Sequence, residues 1–169
     1  MGRLTRYIKP PQVKLELDTV TPAEVPEGWS QDRFAWSVKE RVLEELADLL
    51  DASGRVSNKS KLLTDLTNRE KKDSTAVGDG IAIPHVRTMQ AKEFTMCFAR
   101  STPGVEFGAR DGGPVHFFIA VVAPPWDDKL YLEVYRSIGG LFLQEGMRER
   151  LREAASVHDV IRIISEFEP

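Results

Sequence analysis

Val115-His116-Phe117-Phe118-Ile119-Ala120-Val121-Val122-Ala123 is an almost unbroken apolar run. A strand wetted on one face alternates apolar and polar residues, whereas a strand covered on both faces does not need to. The run therefore predicts a central strand with layers packed on either side. Upstream, Phe94-Thr95-Met96-Cys97-Phe98-Ala99 alternates as a neighbouring strand would, and Ile81-Ala82-Ile83 reads as a short buried strand ended by Pro84.

Helical patterns surround these strands. Ser37-Val38-Lys39-Glu40 matches a capping box. Val38, Val42, Leu43, Leu46, Leu49 and Leu50 follow it at helical spacing, with Gly54 as the stop. A second helix is expected from about Asn58 to Arg69, burying Leu62, Leu63 and Leu66. A third runs from about Leu130 to Gln144, burying Val134, Ile138, Leu141 and Phe142. Gly139-Gly140 within it costs roughly 1–2 kcal/mol of helix propensity, so close packing against a neighbour is expected there. A charged helix follows Gly146. The last starts at Ser156, with Asp159 completing a capping pattern, and buries Val157, Val160, Ile161 and Ile164. Helices alternating with short strands give an α/β layered domain. Residues 1–35 carry Pro10, Pro11, Pro22 and Pro26 and a short alternating stretch, Val13-Lys14-Leu15-Glu16-Leu17. They read as an extended arm or edge element, either flanking or joining the domain that spans 36–169.

Bulk properties narrow the function. The 169 residues suit one domain, and 41% hydrophobic against 29% charged residues supports a core without disulfides or metals. The net charge of −3, with both signs interspersed, speaks against nucleic acid as a partner. No apolar run approaches a membrane span, and Met1-Gly2-Arg3-Leu4-Thr5-Arg6 has no apolar segment behind its basic residues. A single cysteine, Cys97, reads as a reduced, buried thiol, compatible with a cytoplasmic location.

Of three histidines, His116 reads as a packed residue and His158 as a surface residue. His85 differs. It follows Gly78-Asp79-Gly80-Ile81-Ala82-Ile83-Pro84, and Arg69, Ser74, Thr75 and Arg87, all able to bind an anion, lie nearby in sequence. A histidine that accepts phosphate must be neutral at the attacking nitrogen, which its ordinary pKa permits. Phosphoryl transfer then needs alignment and charge stabilisation, for which the planar arginine fork is suited. Ser74 and Thr75 would add hydroxyl donors, and the Gly78/Gly80 backbone could approach an anion closely. Metal binding is poorly supported, because no second histidine or cysteine stands at ligand spacing. No cofactor motif is present; Gly78-Asp79-Gly80 is too short for a dinucleotide fingerprint or P-loop. On the residues alone, a Pro-His pair serving only the backbone at a strand end explains His85 as well as catalysis does.

The longer pattern tips this balance. Arg69-Glu70, Ser74-Thr75 and Gly78-x-Gly80-Ile81-Ala82-Ile83-Pro84-His85 resemble the active-site signature of mannitol/fructose-type enzyme IIA domains of the bacterial phosphotransferase system. That group includes the nitrogen-regulatory IIA proteins. Phe107-Gly108-x-x-Asp111-Gly112-x-Pro114-Val115 resembles the family's next block, and the likeness covers about residues 36–167. It implies a single-domain mixed β-sheet flanked by α-helices. It also implies that His85 accepts a phosphoryl group from an HPr-type phosphocarrier and passes it to a IIB domain or keeps it as a regulatory mark, with Arg69 steadying the phosphohistidine. One departure stands out. The family's second histidine opens a His-Leu-x-x-Leu pattern, and the matching stretch here is Tyr131-Leu132-Glu133-Val134-Tyr135. Provided that it faces the site, Tyr131 can donate a hydrogen bond to the phosphoryl group but cannot become a cation near neutral pH. That departure, and a chain with no attached IIB or HPr domain, favour regulation over direct sugar uptake. The competing expectation is a IIA-like regulatory module that binds proteins without transferring phosphate.

Overall fold

The computed structural model describes residues 4–168; Met1–Arg3, part of the stretch found to lack an apolar segment behind its basic residues, and Pro169 lie outside them. Six strands form one mixed sheet: β1 Val13–Lys14, β2 Ala76–Gly78, β3 Ile81–Ala82, β4 His85–Arg87, β5 Thr95–Val105 and β6 Val115–Ala123. Their order is β1-β5-β6-β3-β2, with β4 also on β6. The helices are α1 Gln31–Asp51, α2 Lys59–Lys72, α3 Asp128–Phe142, α4 Met147–Glu153 and α5 Val157–Phe167. Among the described residues, no helix is long and apolar enough to cross a membrane.

The apolar run at 115–123 is the central strand, and its alternation explains the two cores. Phe117, Ile119 and Val121 join Phe98, Ile138, Phe142, Leu151 and Ile164 on the face covered by α3, α4 and α5. Phe118, Ala120 and Val122 join Leu43, Leu46, Leu62, Leu66 and Cys97 on the face covered by α1 and α2. Each fully buried Leu, Ile or Phe contributes about 1.5–3 kcal/mol relative to exposure. Cys97 is buried, and burial pushes its thiol pKa up to about 12, which keeps it protonated.

Several elements begin where local chemistry places them. Asn58 caps α2 by accepting from the Lys61 N–H at 3.0 Å, and Ser156 caps α5 by accepting from the Asp159 N–H at 3.0 Å. Helix α1 does not start at the Ser37 motif. Ser30 is its cap, accepting from the Arg33 N–H at 3.1 Å. Ser37 lies within the helix and donates its hydroxyl back to the Phe34 carbonyl at 2.7 Å. Nothing in Gln31-Asp32-Arg33-Phe34-Ala35-Trp36 breaks a helix, so the earlier cap prevails and the 35/36 boundary falls inside α1. Gly139 and Gly140 also depart from expectation. A Cβ at either would meet no atom within 4 Å, so packing does not require them.

Residues before α1 are stitched to the sheet. Val13 and Lys14 pair in parallel with Phe98 and Ala99 at the edge of β5. Gln12 donates to the Met96 carbonyl at 2.7 Å and to Thr95 Oγ1 at 3.1 Å. Glu45 of α1 accepts from Lys14 Nζ and from the Asp18 and Thr19 N–H groups. Arg100, on β5, donates to the carbonyls of Leu15, Leu151 and Ala154, tying the arm to the C-terminal end of α4.

The glycine-rich segment divides into two ends. Ile81 and Ala82 pair with Phe117 and Phe118, while His85, Val86 and Arg87 pair with Val121, Val122 and Ala123. Both stretches run along the same edge of β6, so Pro84 interrupts the pairing rather than ending it, and His85 is itself a strand residue. The Gly78-Asp79-Gly80 turn lies at the opposite end, about 15 Å along the strand at roughly 3.3 Å per residue. There Asp111 accepts from the Asp79 and Gly113 N–H groups, each at 3.0 Å, which holds Asp79 at its left-handed φ of 57°. The Asp111-Gly112-x-Pro114 block thus shapes the β2–β3 turn. The expected role of the Gly78/Gly80 backbone at His85 is corrected by this separation.

Candidate functional site

Pro84 sets the chain direction into β4, and β4 presents His85 and Arg87 at the C-terminal end of β6. Helix α2 brings Arg69 from one side. The loop through Pro125 and helix α3 bring Tyr131 from the other. Arg69, His85, Val86, Arg87, Pro125 and Tyr131 line an open cleft of about 550 Å³. Four of the six expected site residues therefore meet in one place.

His85 is half-buried and its Nδ1 lies 2.7 Å from the Ile83 carbonyl oxygen. A carbonyl can only accept, so Nδ1 carries the hydrogen and Nε2 carries the lone pair. Burial pushes the His85 pKa below its ordinary 6.5, the Ile83 hydrogen bond opposes this, and the Arg69 charge lowers it further. The imidazole is thus mostly neutral at neutral pH, with its lone pair on Nε2.

The cations are themselves held. Arg69 donates to the Asp73 carbonyl at 2.9 Å across the end of α2. Arg87 pairs with Asp128 at the start of α3, and its guanidinium lies 5.7 Å from the centre of the Tyr131 ring. Tyr131 is 8% exposed, and its ring centre is 6.0 Å from that of His85. Burial pushes its pKa up to about 12 against the opposing pull of Arg69 and Arg87, so it is a neutral phenol. The cleft offers a neutral imidazole, the guanidinium groups of Arg69 and Arg87, and a neutral phenol.

Ser74 and Thr75 do not line this cleft. Thr75 is 3% exposed, and its hydroxyl and N–H both donate to the Glu70 carboxylate, at 2.6 and 3.1 Å. Lys39 completes that group by donating to Glu70 at 3.0 Å, with the Phe107 ring 4.9 Å from its ammonium. Gly108 leaves room for it, since a Cβ there would sit 3.2 Å from Lys39 Nζ. Ser74 donates to the Phe107 carbonyl and accepts from the Ala76 N–H, each at 3.2 Å. Both hydroxyls are committed to the turn between α2 and β2, next to Arg69, and that local demand explains their absence from the cleft. His116 sits at the far end of β6, its Nδ1 2.9 Å from the Ser101 carbonyl, and His158 is exposed on α5.

Sequence reasoning missed Tyr135, whose ring centre lies 4.4 Å from that of His85, and Asp128, the partner of Arg87. Tyr135 could have been found from its spacing, because residues four apart share a helix face and Tyr131 was already placed there. The Asp128 contact joins two distant elements and leaves no local signal.

The sequence matches the family described as "Phosphoenolpyruvate-dependent sugar phosphotransferase system, EIIA 2" over residues 32–167. A fructose-specific EIIA component from Haloferax volcanii is 31% identical over 151 residues, covering 89% of this chain and 96% of that protein. A nitrogen regulatory protein from Pseudomonas aeruginosa is 30% identical over 130 residues, covering 77% and 84%. A fructose-specific EIIABC component from Bacillus subtilis is 32% identical over 130 residues, 77% of this chain but 20% of that longer protein. Among solved structures, the nitrogen regulatory protein IIA-Ntr from Neisseria meningitidis superposes with a TM-score of 0.79 at 27% identity, covering 95% of this chain and 98% of that one. The fold is also that of mannitol IIA from Escherichia coli, at a TM-score of 0.71 over 93% of this chain and 98% of that one, with 20% identity. On a match spanning most of its length, the chain belongs to the EIIA type 2 family of the phosphoenolpyruvate-dependent sugar phosphotransferase system, a family of phosphotransfer components.

Proposed function

We propose that this chain is a phosphohistidine carrier. Its His85 Nε2 takes a phosphoryl group from an HPr-type phosphocarrier and holds it as a regulatory mark more than it feeds sugar uptake. The observation that carries the reading is the hydrogen bond from His85 Nδ1–H to the Ile83 carbonyl, which leaves the Nε2 lone pair in a cleft with two arginines. In the transfer, the Nε2–P bond forms as the donor's bond to phosphorus breaks. Nδ1 keeps its proton and its partner throughout. Arg69 and Arg87 match the charge on the equatorial oxygens. The phosphoryl group adds about −1.5 to −2 charges beside the cleft, by analogy with other phosphorylated residues, enough to change what docks there. The exposed Trp126, next to Pro125, and Met89, which lines the adjoining groove, supply apolar area for a protein partner such as the donor or a IIB domain.

The test is transfer from phosphoenolpyruvate through enzyme I and HPr. The expected product carries acid-labile phosphate on Nε2 of His85, identified by phosphorus and nitrogen NMR. A chain that never labels with a competent cognate donor refutes the carrier reading and favours a IIA-like module that binds partners without transfer.

Tyr131 supports the regulatory preference. A hydrogen bond with a charged partner contributes roughly 1.5–3 kcal/mol, and a neutral phenol forgoes the charge of an imidazolium as phosphate departs. Tyr131→His is therefore expected to raise the rate of onward transfer to a IIB domain by about 10- to 100-fold, since 1.36 kcal/mol is tenfold. Single-turnover transfer from the phosphorylated chain measures this, and an unchanged rate removes Tyr131 as the basis of the preference.

A further inference from the structure

We infer that Tyr135 is a positioning residue for His85: its ring braces the imidazole so that Nε2 keeps one orientation in the cleft. The inference rests on the proposed use of His85 as nucleophile. A histidine's χ2 torsion is broad, so backbone geometry alone does not aim the ring. The bond from Nδ1 to the Ile83 carbonyl fixes one edge but leaves the ring free to pivot about the Nδ1···O line. A contact against the ring restricts that pivot. Tyr135 makes it, with centroids 4.4 Å apart and planes at 49°. Tyr131 stands farther off, at 6.0 Å and 46°. Both project from one face of α3, four residues apart, so the helix presents a two-ring wall to the imidazole. In the His-Leu-x-x-Leu pattern that this stretch departs from, Tyr135 stands at the second leucine position. The chain therefore differs at two places on the same wall. Its tyrosines fall where that pattern carries one titrating ring and one aliphatic side chain.

The brace bears on reaction through geometry, because in-line transfer is sensitive to displacements of the nucleophile on the ångström scale. It also keeps water from one side of the imidazole. The groups that face His85 are Arg69 and Glu70 on α2, Arg87 on β4, and Tyr131 and Tyr135 on α3.

The test uses the full chain with Tyr135→Phe, Tyr135→Leu and Tyr135→Ala. Nitrogen-detected NMR of the unphosphorylated protein reads the tautomer and pKa of His85 without any donor. Wild type and Tyr135→Phe are expected to show the same dominant Nδ1–H tautomer and matching pKa values. Tyr135→Ala is expected to show mixed tautomers and a pKa moved up toward 6.5, with phosphate uptake slowed about two- to tenfold, the range of an aromatic pair. Tyr135→Leu removes the ring face while filling part of its space, is expected to show a smaller shift in the same direction, and carries the comparison if the alanine variant does not fold. Unchanged tautomer and pKa in the aliphatic variants overturn the inference. If wild type never accepts phosphate but these NMR shifts occur, positioning stands and the carrier reading fails. If wild type labels and no variant moves either readout, the reverse holds.

Discussion

Alanine in place of His85 is expected to leave the chain without acid-labile phosphate, at least about 10³-fold below wild type when the covalent nucleophile is lost. No other histidine can substitute. The Nδ1 of His116 is likewise bonded to a carbonyl, but its ring is packed beside Gly104, where a Cβ would come within 2.9 Å of it, at the end of β6 away from Arg69 and Arg87. His158 is exposed on α5 with no part in the cleft. The pH dependence carries a sign. Uptake needs unprotonated Nε2, and burial lowers the folded pKa of His85 below 6.5. The rate should therefore reach half its high-pH plateau only below pH 6.5, as the imidazole protonates. Rapid-quench labelling of wild type across this range, beside the alanine variant at pH 7.5, measures both. Residual labelling in the variant above a few per cent would place the acceptor elsewhere.

Lys39→Met is expected to lower stability by about 3–5 kcal/mol, as measured by urea unfolding, because it leaves a buried carboxylate without its cation. Lys39 and Glu70 are 8% and 2% exposed, and their ends meet at 3.0 Å. Glu70 would retain the Thr75 N–H and hydroxyl, which satisfy hydrogen bonding but not charge. The double variant Lys39→Met/Glu70→Gln should recover most of the loss, since replacing both members of a buried pair is often neutral. A single variant within about 0.5 kcal/mol of wild type, in the range of an unremarkable surface change, would show that the pair does not hold this turn. Because Arg69 adjoins Glu70, the single variant should also slow phosphate uptake, while the double variant restores it along with stability.

The sequence disclosed the layered fold through residues whose local pattern and burial agree. The run at 115–123 could only be a strand covered on both sides, and Asn58 and Ser156 cap helices where short-range chemistry puts them. The start of α1 escaped because Ser30 and Ser37 both satisfy a local rule, and with no helix breaker between them the earlier cap prevails. Arg69, His85, Arg87 and Tyr131 converge in the cleft, although the strand edge and helices that bring them together are far apart in sequence. Ser74, Thr75, Gly78 and Gly80 lie near His85 in sequence but serve the framework. Proximity along a chain overstates proximity in space wherever a strand intervenes. Lys39 entered the sequence reading only as part of the Ser37 capping motif, and its partner, thirty-one positions away, left no trace in local pattern.

The parallel pairing of Val13 and Lys14 with β5 also decides what a shortened chain would expose. The family match begins at residue 32, so a chain cut there keeps every lining residue of the cleft and loses the stitching of Gln12, Lys14 and Thr19. Its outer strand would then offer unpaired N–H and C=O groups to other molecules, an invitation to edge-to-edge association. The segment that looks most dispensable for chemistry is thus the one that shields the sheet from its own kind.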